Sequence, residues 1–130
     1  MSRIARIMVT TSVAIVILSQ PALGYKHYHV QQSSKRCSNE KPKWCVLHVI
    51  YSKNIHGEEA EWLLRIPGCE SSWKPEEVDA SGSTGLYQFM PETWASTPYS
   101  NHSILSARWQ SWAASWLYEK DEGGREWVCK

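Results

Sequence analysis

IPGCESSWKPEEVDASGSTGLYQFMPETW, running from Ile66 to Trp94, decides how the rest of the chain reads. An apolar helical run ends in it at Cys69-Glu70-Ser71, and Glu70 is the one carboxylate at that end. A loop follows whose Pro75, Asp79, Ser81, Gly82 and Ser83 are turn chemistry. Gly85-Leu86-Tyr87-Gln88 comes next, and Pro91 has the fixed φ suited to the first position of a new helix, Pro91 to Ser96. Gly82 and Gly85 do not make a phosphate cradle, because no Lys-Ser/Thr pair follows and no strand precedes them.

Working outward, the upstream run is a helix from Glu58 to about Cys69. Glu58, Glu59 and Glu61 occupy its first turn, where the helix dipole favours negative charge. Pro67 removes a backbone donor near its end, so a kink or a tightened last turn is expected there. Trp44 to Ser52 reads as a shorter helix. Downstream, Leu105, Trp109, Trp112, Ala113, Trp116 and Leu117 recur with a 3.6-residue period. They predict a long helix beginning near Ser103, with the Trp stripe in the core and Ser106, Arg108, Gln110, Ser111 and Ser115 on the outer face. Gly123 and Gly124 stop it.

The chain has 130 residues, enough for one domain. Residues 1–24 have the form of a removable export signal. Arg3 and Arg6 precede an apolar run, Ile7 to Leu18, and Ala22-Leu23-Gly24 offers a small-residue cleavage site. The run is too short to span a bilayer comfortably, which disfavours a retained anchor. Residues 25–43 read as an exposed polar arm, and residues 44–130 as the folded domain. Lys26-His27-Tyr28-His29 could present two imidazoles to a metal, but a tail is the simpler reading.

Without Arg3 and Arg6, 12 basic residues face 13 acidic ones, so charge gives no support for nucleic acid as a partner. An even set of four cysteines behind an export signal reads as two disulfides. Three pairings are possible. The spacing favours Cys37–Cys45 as a local clip and Cys69–Cys129 as a long staple. Closing a loop of about 60 residues removes roughly 4 kcal/mol of chain entropy from the unfolded state. The cysteine spacings fit no common zinc pattern. Eight Trp and six Tyr against one Phe supply aromatics for a core, with a few left to line a groove.

Breaking a glycosidic bond requires a proton on the leaving oxygen, hence an acid that keeps its proton near neutral pH. A carboxyl does so when partly desolvated. Ile66, Cys69 and Trp73 flank Glu70, and no Lys or Arg lies between Arg65 and Lys74. A solvated Glu at a helix end is the commoner situation, since most glutamates are exposed. Glu76, Glu77, Asp79 and Glu92 are the other acids nearby, each at a loop or helix start suited to a solvated or capping role.

Cys69-Glu70-Ser71, the run Ser81 to Trp94 and the spacing between them resemble the catalytic core of soluble-type lytic transglycosylases. They are also similar to the resuscitation-promoting factors of actinobacteria. Both groups are lysozyme-like, and the resemblance covers about residues 44–129. The Cys before Glu70 and the terminal Trp-x-Cys resemble the secreted actinobacterial branch. The resemblance implies a mainly α, lysozyme-like domain with an active-site cleft, stapled by disulfides. It implies a monomer, exported to the cell wall without a stable membrane anchor, that cleaves the MurNAc–GlcNAc β-1,4 bond of peptidoglycan. No cofactor or metal is required.

Glu70 matches the single catalytic acid/base and Ser71 the serine that orients the site. Gly85, Leu86 and Gln88 match a Gly-Leu-x-Gln glycan-binding motif, with Tyr87 where the family often carries Met. The later Ala-Tyr-Asn motif is not evident. A hydrolytic muramidase is the nearest alternative. A non-catalytic glycan-binding or signalling module on the same scaffold is the next. A secreted, disulfide-stabilised inhibitor or effector has only the cysteines behind it.

Overall fold

The computed structural model describes residues 21–120 together with Trp127 and Cys129. The expected leader lies almost wholly outside those residues, as do Gly123 and Gly124. Among the described residues five helices carry the fold: α1 (Pro21–Arg36), α2 (Pro42–Lys53), α3 (Glu58–Ser71), α4 (Pro91–Ser96) and α5 (Ala107–Lys120). Isolated bridges, Ser38 with Lys41, Val78 with Thr84 and Thr84 with Phe89, are the only β pairing among the described residues. The mainly α class and the small, disulfide-stapled domain are therefore realised. No described helix is long and apolar enough to cross a membrane.

The polar segment expected to be an exposed arm is different. Its first two-thirds is helical, and α1 packs along α2. Ser33 is fully buried there and donates to the His29 carbonyl at 2.7 Å. The segment looked like an arm because its apolar content is low, but small Ser33 and Ser34 let the helices approach. His48 of α2 faces Ser33 and Ser52 and meets Trp112 edge-on. Burial, and then the positive charge of Arg108, lower its pKa. It is a packing residue.

The α5 face is shifted from the expected one: Ala113 and Leu117 of the stripe are buried as expected, but the indoles do not form its centre. Gln110, Ser111 and Ser115 are fully buried with Ala107, Ala113 and Ala114, whereas Trp109, Trp112 and Trp116 are half-buried flanks and Leu105 is exposed. Short side chains on the inner face let α2 and α3 close on α5, and indoles would hold them apart. The burial is tolerable because each polar group is met. Ser111 donates to the Ala107 carbonyl at 2.7 Å, and Ser115 donates to Glu59 at 3.0 Å while accepting from Lys53 at 2.8 Å. No buried side-chain polar atom among the described residues lacks a partner.

The start of α5 lies at Ala107 rather than near Ser103: Ser106 accepts from the Trp109 amide at 3.4 Å, and a second capping side chain reaches in from elsewhere. Asn39, in the turn between α1 and α2, accepts from the Ala107 amide at 2.9 Å and donates to the Leu105 carbonyl at 2.9 Å. Cys37 is bonded to Cys45, and Cys69 to Cys129. The first bond holds the turn that carries Asn39, and the second brings the chain end back to α3.

Candidate active site

Pro67 does not break α3, which runs through it to Ser71. Lacking an N–H, it leaves the Leu63 carbonyl one turn earlier without a helical partner. The Tyr87 hydroxyl fills that position, donating to the Leu63 carbonyl at 2.7 Å from a fully buried ring. Burial pushes the phenol pKa well up, so the hydroxyl remains a neutral donor. Tyr87 is thus the complement of Pro67, and it does not reach a ligand.

The same inward turn applies to its neighbours. Ser71 is buried, donating to the Leu86 carbonyl at 2.7 Å and toward the Pro67 carbonyl at 3.1 Å. It ties the end of α3 to the 84–89 turn. Leu86 is core. Gly85 has φ 86°, and an added Cβ would collide with the Gln110 amide and lie 2.8 Å from the Ile104 carbonyl oxygen. Gln110 needs that space. It accepts from the Tyr87 amide at 2.7 Å and donates to the carbonyls of Thr84 at 2.8 Å and Ile104 at 2.7 Å. Four of the five residues expected to contact substrate therefore support the site from behind.

Gln88 is the fifth, and it does line the cleft. Its backbone is left-handed at φ 54°, and its amide is engaged within the loop. Nε2 donates to the Glu77 and Gly85 carbonyls, each at 3.0 Å, while Oε1 accepts from Ser83 at 3.0 Å. Ser83 lies 3.2 Å from Ser81, whose hydroxyl and backbone amide both donate to Asp79. A polar chain thus runs from Asp79 to the cleft wall, and the bonds to Ser81 hold the Asp79 pKa down.

Glu70 stands at the last turn of α3, half-buried, beside a cavity of about 230 Å³ lined also by Ser83, Gln88, Phe89, Met90, Thr93 and Trp127. No hydrogen bond reaches its carboxylate from the described residues. Burial first, and the negative charge of Asp79 second, raise its pKa above the usual glutamate value. Its carboxylate oxygen lies within 4.8 Å of both Cys69 and Cys129 sulfurs. Those sulfurs are bonded to each other, so neither can serve as a thiolate ligand to a metal. Glu70 and Gln88 are thus brought to one cleft.

The wall opposite was missed in the sequence. Trp127 donates its indole N–H to the Tyr87 carbonyl and packs edge-on against Phe89 and Trp62 with ring centroids 5.2 Å apart in each case. The signal for it was present. Trp127 is two residues before Cys129, and Cys129 pairs with the residue next to Glu70.

A family model described as the transglycosylase SLT domain matches residues 49–111. The matched segment runs from the middle of α2 into α5 and includes Glu70 and the 83–89 turn. It connects this lysozyme-like fold with peptidoglycan lytic transglycosylases in general, enzymes that act on the cell wall. No curated protein and no solved structure matches the chain.

Proposed function

We propose that the protein is a secreted peptidoglycan lytic transglycosylase with Glu70 as its single acid/base. The observation that carries this reading is a carboxyl in a cleft, raised in pKa and without a hydrogen bond from the described residues. Such a group favours its protonated form, which can give its proton to a leaving oxygen. The proton passes from Glu70 to the bridging oxygen of the MurNAc–GlcNAc bond, and the C1–O bond breaks. The N-acetyl oxygen of the same sugar stabilises C1. The carboxylate left behind then takes the proton of the MurNAc C6 hydroxyl, and that oxygen closes on C1 as a 1,6-anhydro ring. Glu70 ends as it began.

The neighbours suit these steps. The disulfide beside Glu70 and the rings of Phe89 and Trp127 keep the carboxyl poorly solvated. Gln88 and Ser83 supply a fixed polar edge, and the Trp127 indole offers a broad wall for a pyranose ring. A hydrolytic route has one observation in its favour. Asp79 is close enough for its charge to bear on Glu70, and it stays ionised, as a second carboxylate that positions water must.

Mass spectrometry of muropeptides released from purified sacculi tests both readings. Anhydro ends, abolished in Glu70→Gln, support transglycosylation. Reducing ends assign hydrolysis, and undiminished release by Glu70→Gln removes Glu70 from the role.

A further inference from the structure

A second concavity, of about 370 Å³, shares no lining residue with the Glu70 cleft. It is formed by Glu40, Lys41, Pro42, Lys43, Trp44 and Trp73. The first five lie inside the short loop closed by the Cys37–Cys45 disulfide. That loop is further pinned by the Lys41 amide donating to the Ser38 carbonyl at 3.0 Å and the Trp44 amide to the Lys41 carbonyl at 3.0 Å. A rigid loop loses little freedom when it binds.

The sixth residue is set out deliberately by the backbone. Ser72 and Trp73 are both left-handed, at φ 51° and 63°, a conformation costing a bulky residue about 1–2 kcal/mol. This turns the Trp73 indole back along α3, where its nitrogen comes within 3.3 Å of the Cβ position at Gly68. Gly68 and Glu70 are roughly 200° apart around the helix, so the groove lies on the far side of α3 from the cleft.

The groove is aromatic and positive. Trp44 and Trp73 are half-buried, and Lys41 and Lys43 are exposed. Lys43 Nζ is 5.0 Å from the Trp73 ring centroid, and the Arg36 guanidinium is 4.6 Å from that of Trp44. The one ion pair among the described residues is Lys53 with Glu119, so Lys41 and Lys43 have no carboxylate bound to them there. Glu40 is the single acid of the lining, and the two lysines outnumber it.

Indole walls beside exposed ammonium groups match a pyranose chain that carries carboxylates. We infer that this groove is a second wall-binding site, which holds the muramyl-peptide carboxylates of a glycan strand apart from the strand being cut. The ligand class rests on the peptidoglycan reading above.

The test is co-sedimentation of the Glu70→Gln protein, which leaves its target intact, with sacculi freed of attached phosphate polymers. Lys41→Glu combined with Lys43→Glu should weaken binding about tenfold at low salt, and the double Arg replacement should restore it. The lysines are exposed, so a thermal melt should show the variants folded. Trp44→Phe should give a smaller loss. Strands stripped of their peptides keep one lactyl carboxylate per muramic acid, so there the charge reversal should cost clearly less than tenfold.

Unchanged binding by the charge-reversed protein would overturn the inference. So would a tenfold loss that persists on peptide-free strands, or lysine dependence seen only where phosphate polymers are present. Muropeptides released into the supernatant are read separately from bound protein, so a failure of the Glu70 mechanism would show there and be told apart from a failure of binding.

Discussion

Gln110 on α5 and Glu70 at the end of α3 are both withdrawn from water, and the fold treats them in opposite ways. Gln110 is fully buried and has three backbone partners. Glu70 is half-buried and receives no hydrogen bond from the described residues. A saturated buried polar group fixes a structure, since each partner restrains it. A half-buried carboxyl beside a negative charge is raised in energy when ionised, which favours its protonated form. The saturated side chain holds the 84–87 turn in place, and that turn leads directly into Gln88 in the cleft wall.

Glu70→Gln should break the contrast most sharply. Wall cleavage should fall by about 10²–10⁴-fold, read from muropeptide release. Stability should move the other way. Because folding raises the Glu70 pKa, the neutral carboxyl carries no penalty below its ordinary value of 4.5, and the ionised form carries one once the pH passes the folded value. The variant should therefore melt higher than the parent at neutral pH, and the gap should close in acid.

Gln110→Ala should do the converse. It strands the Tyr87 amide and the Ile104 carbonyl and leaves the Thr84 carbonyl with only the Phe89 amide, at about 3 kcal/mol, measurable by urea unfolding. Activity that remains should keep its pH profile, since Glu70 is untouched.

Tyr87→Phe should cost about 1–2 kcal/mol by the same measurement, because the Leu63 carbonyl loses its donor. In a Pro67→Ala background that cost should shrink, since residue 67 then supplies the missing N–H. Equal costs in both backgrounds would show that Pro67 and Tyr87 are not coupled.

Asp79→Asn should have the smallest effect. It removes the negative charge that contributes to the raised Glu70 pKa while leaving an acceptor for Ser81. The alkaline limb of the pH–rate profile should move toward lower pH, and an unmoved limb would leave burial as the sole cause.

The helices α3 and α4 were legible because their signals are local: acids in a first turn and a proline at a helix start. So was the placement of Glu70 at the end of a helix, where it lines a cleft with Gln88. The inner face of α5 was not. Hydrophobic period identifies the buried side only when bulk decides it, and here close approach of neighbouring helices selected Ala, Ser and Gln over Trp. The start of α5 was hidden for a related reason, since the acceptor for its first amide is a side chain 68 residues away. The Gly85–Tyr87 part of the motif was read as a row of contacts. Sequence spacing says that residues lie near a site, but not that Tyr87 is turned to answer Pro67 or that Gly85 is small on behalf of Gln110.

The reach of Asn39 also bears on where this protein can be cut. A fragment trimmed to residues 49–111 would discard the amide side chain that begins the last helix, together with Cys45 and Val46 from the interior. Its boundary would pass through α2. The smallest autonomous piece should instead begin before Cys37 and retain the chain as far as Cys129, because both ends close onto the middle.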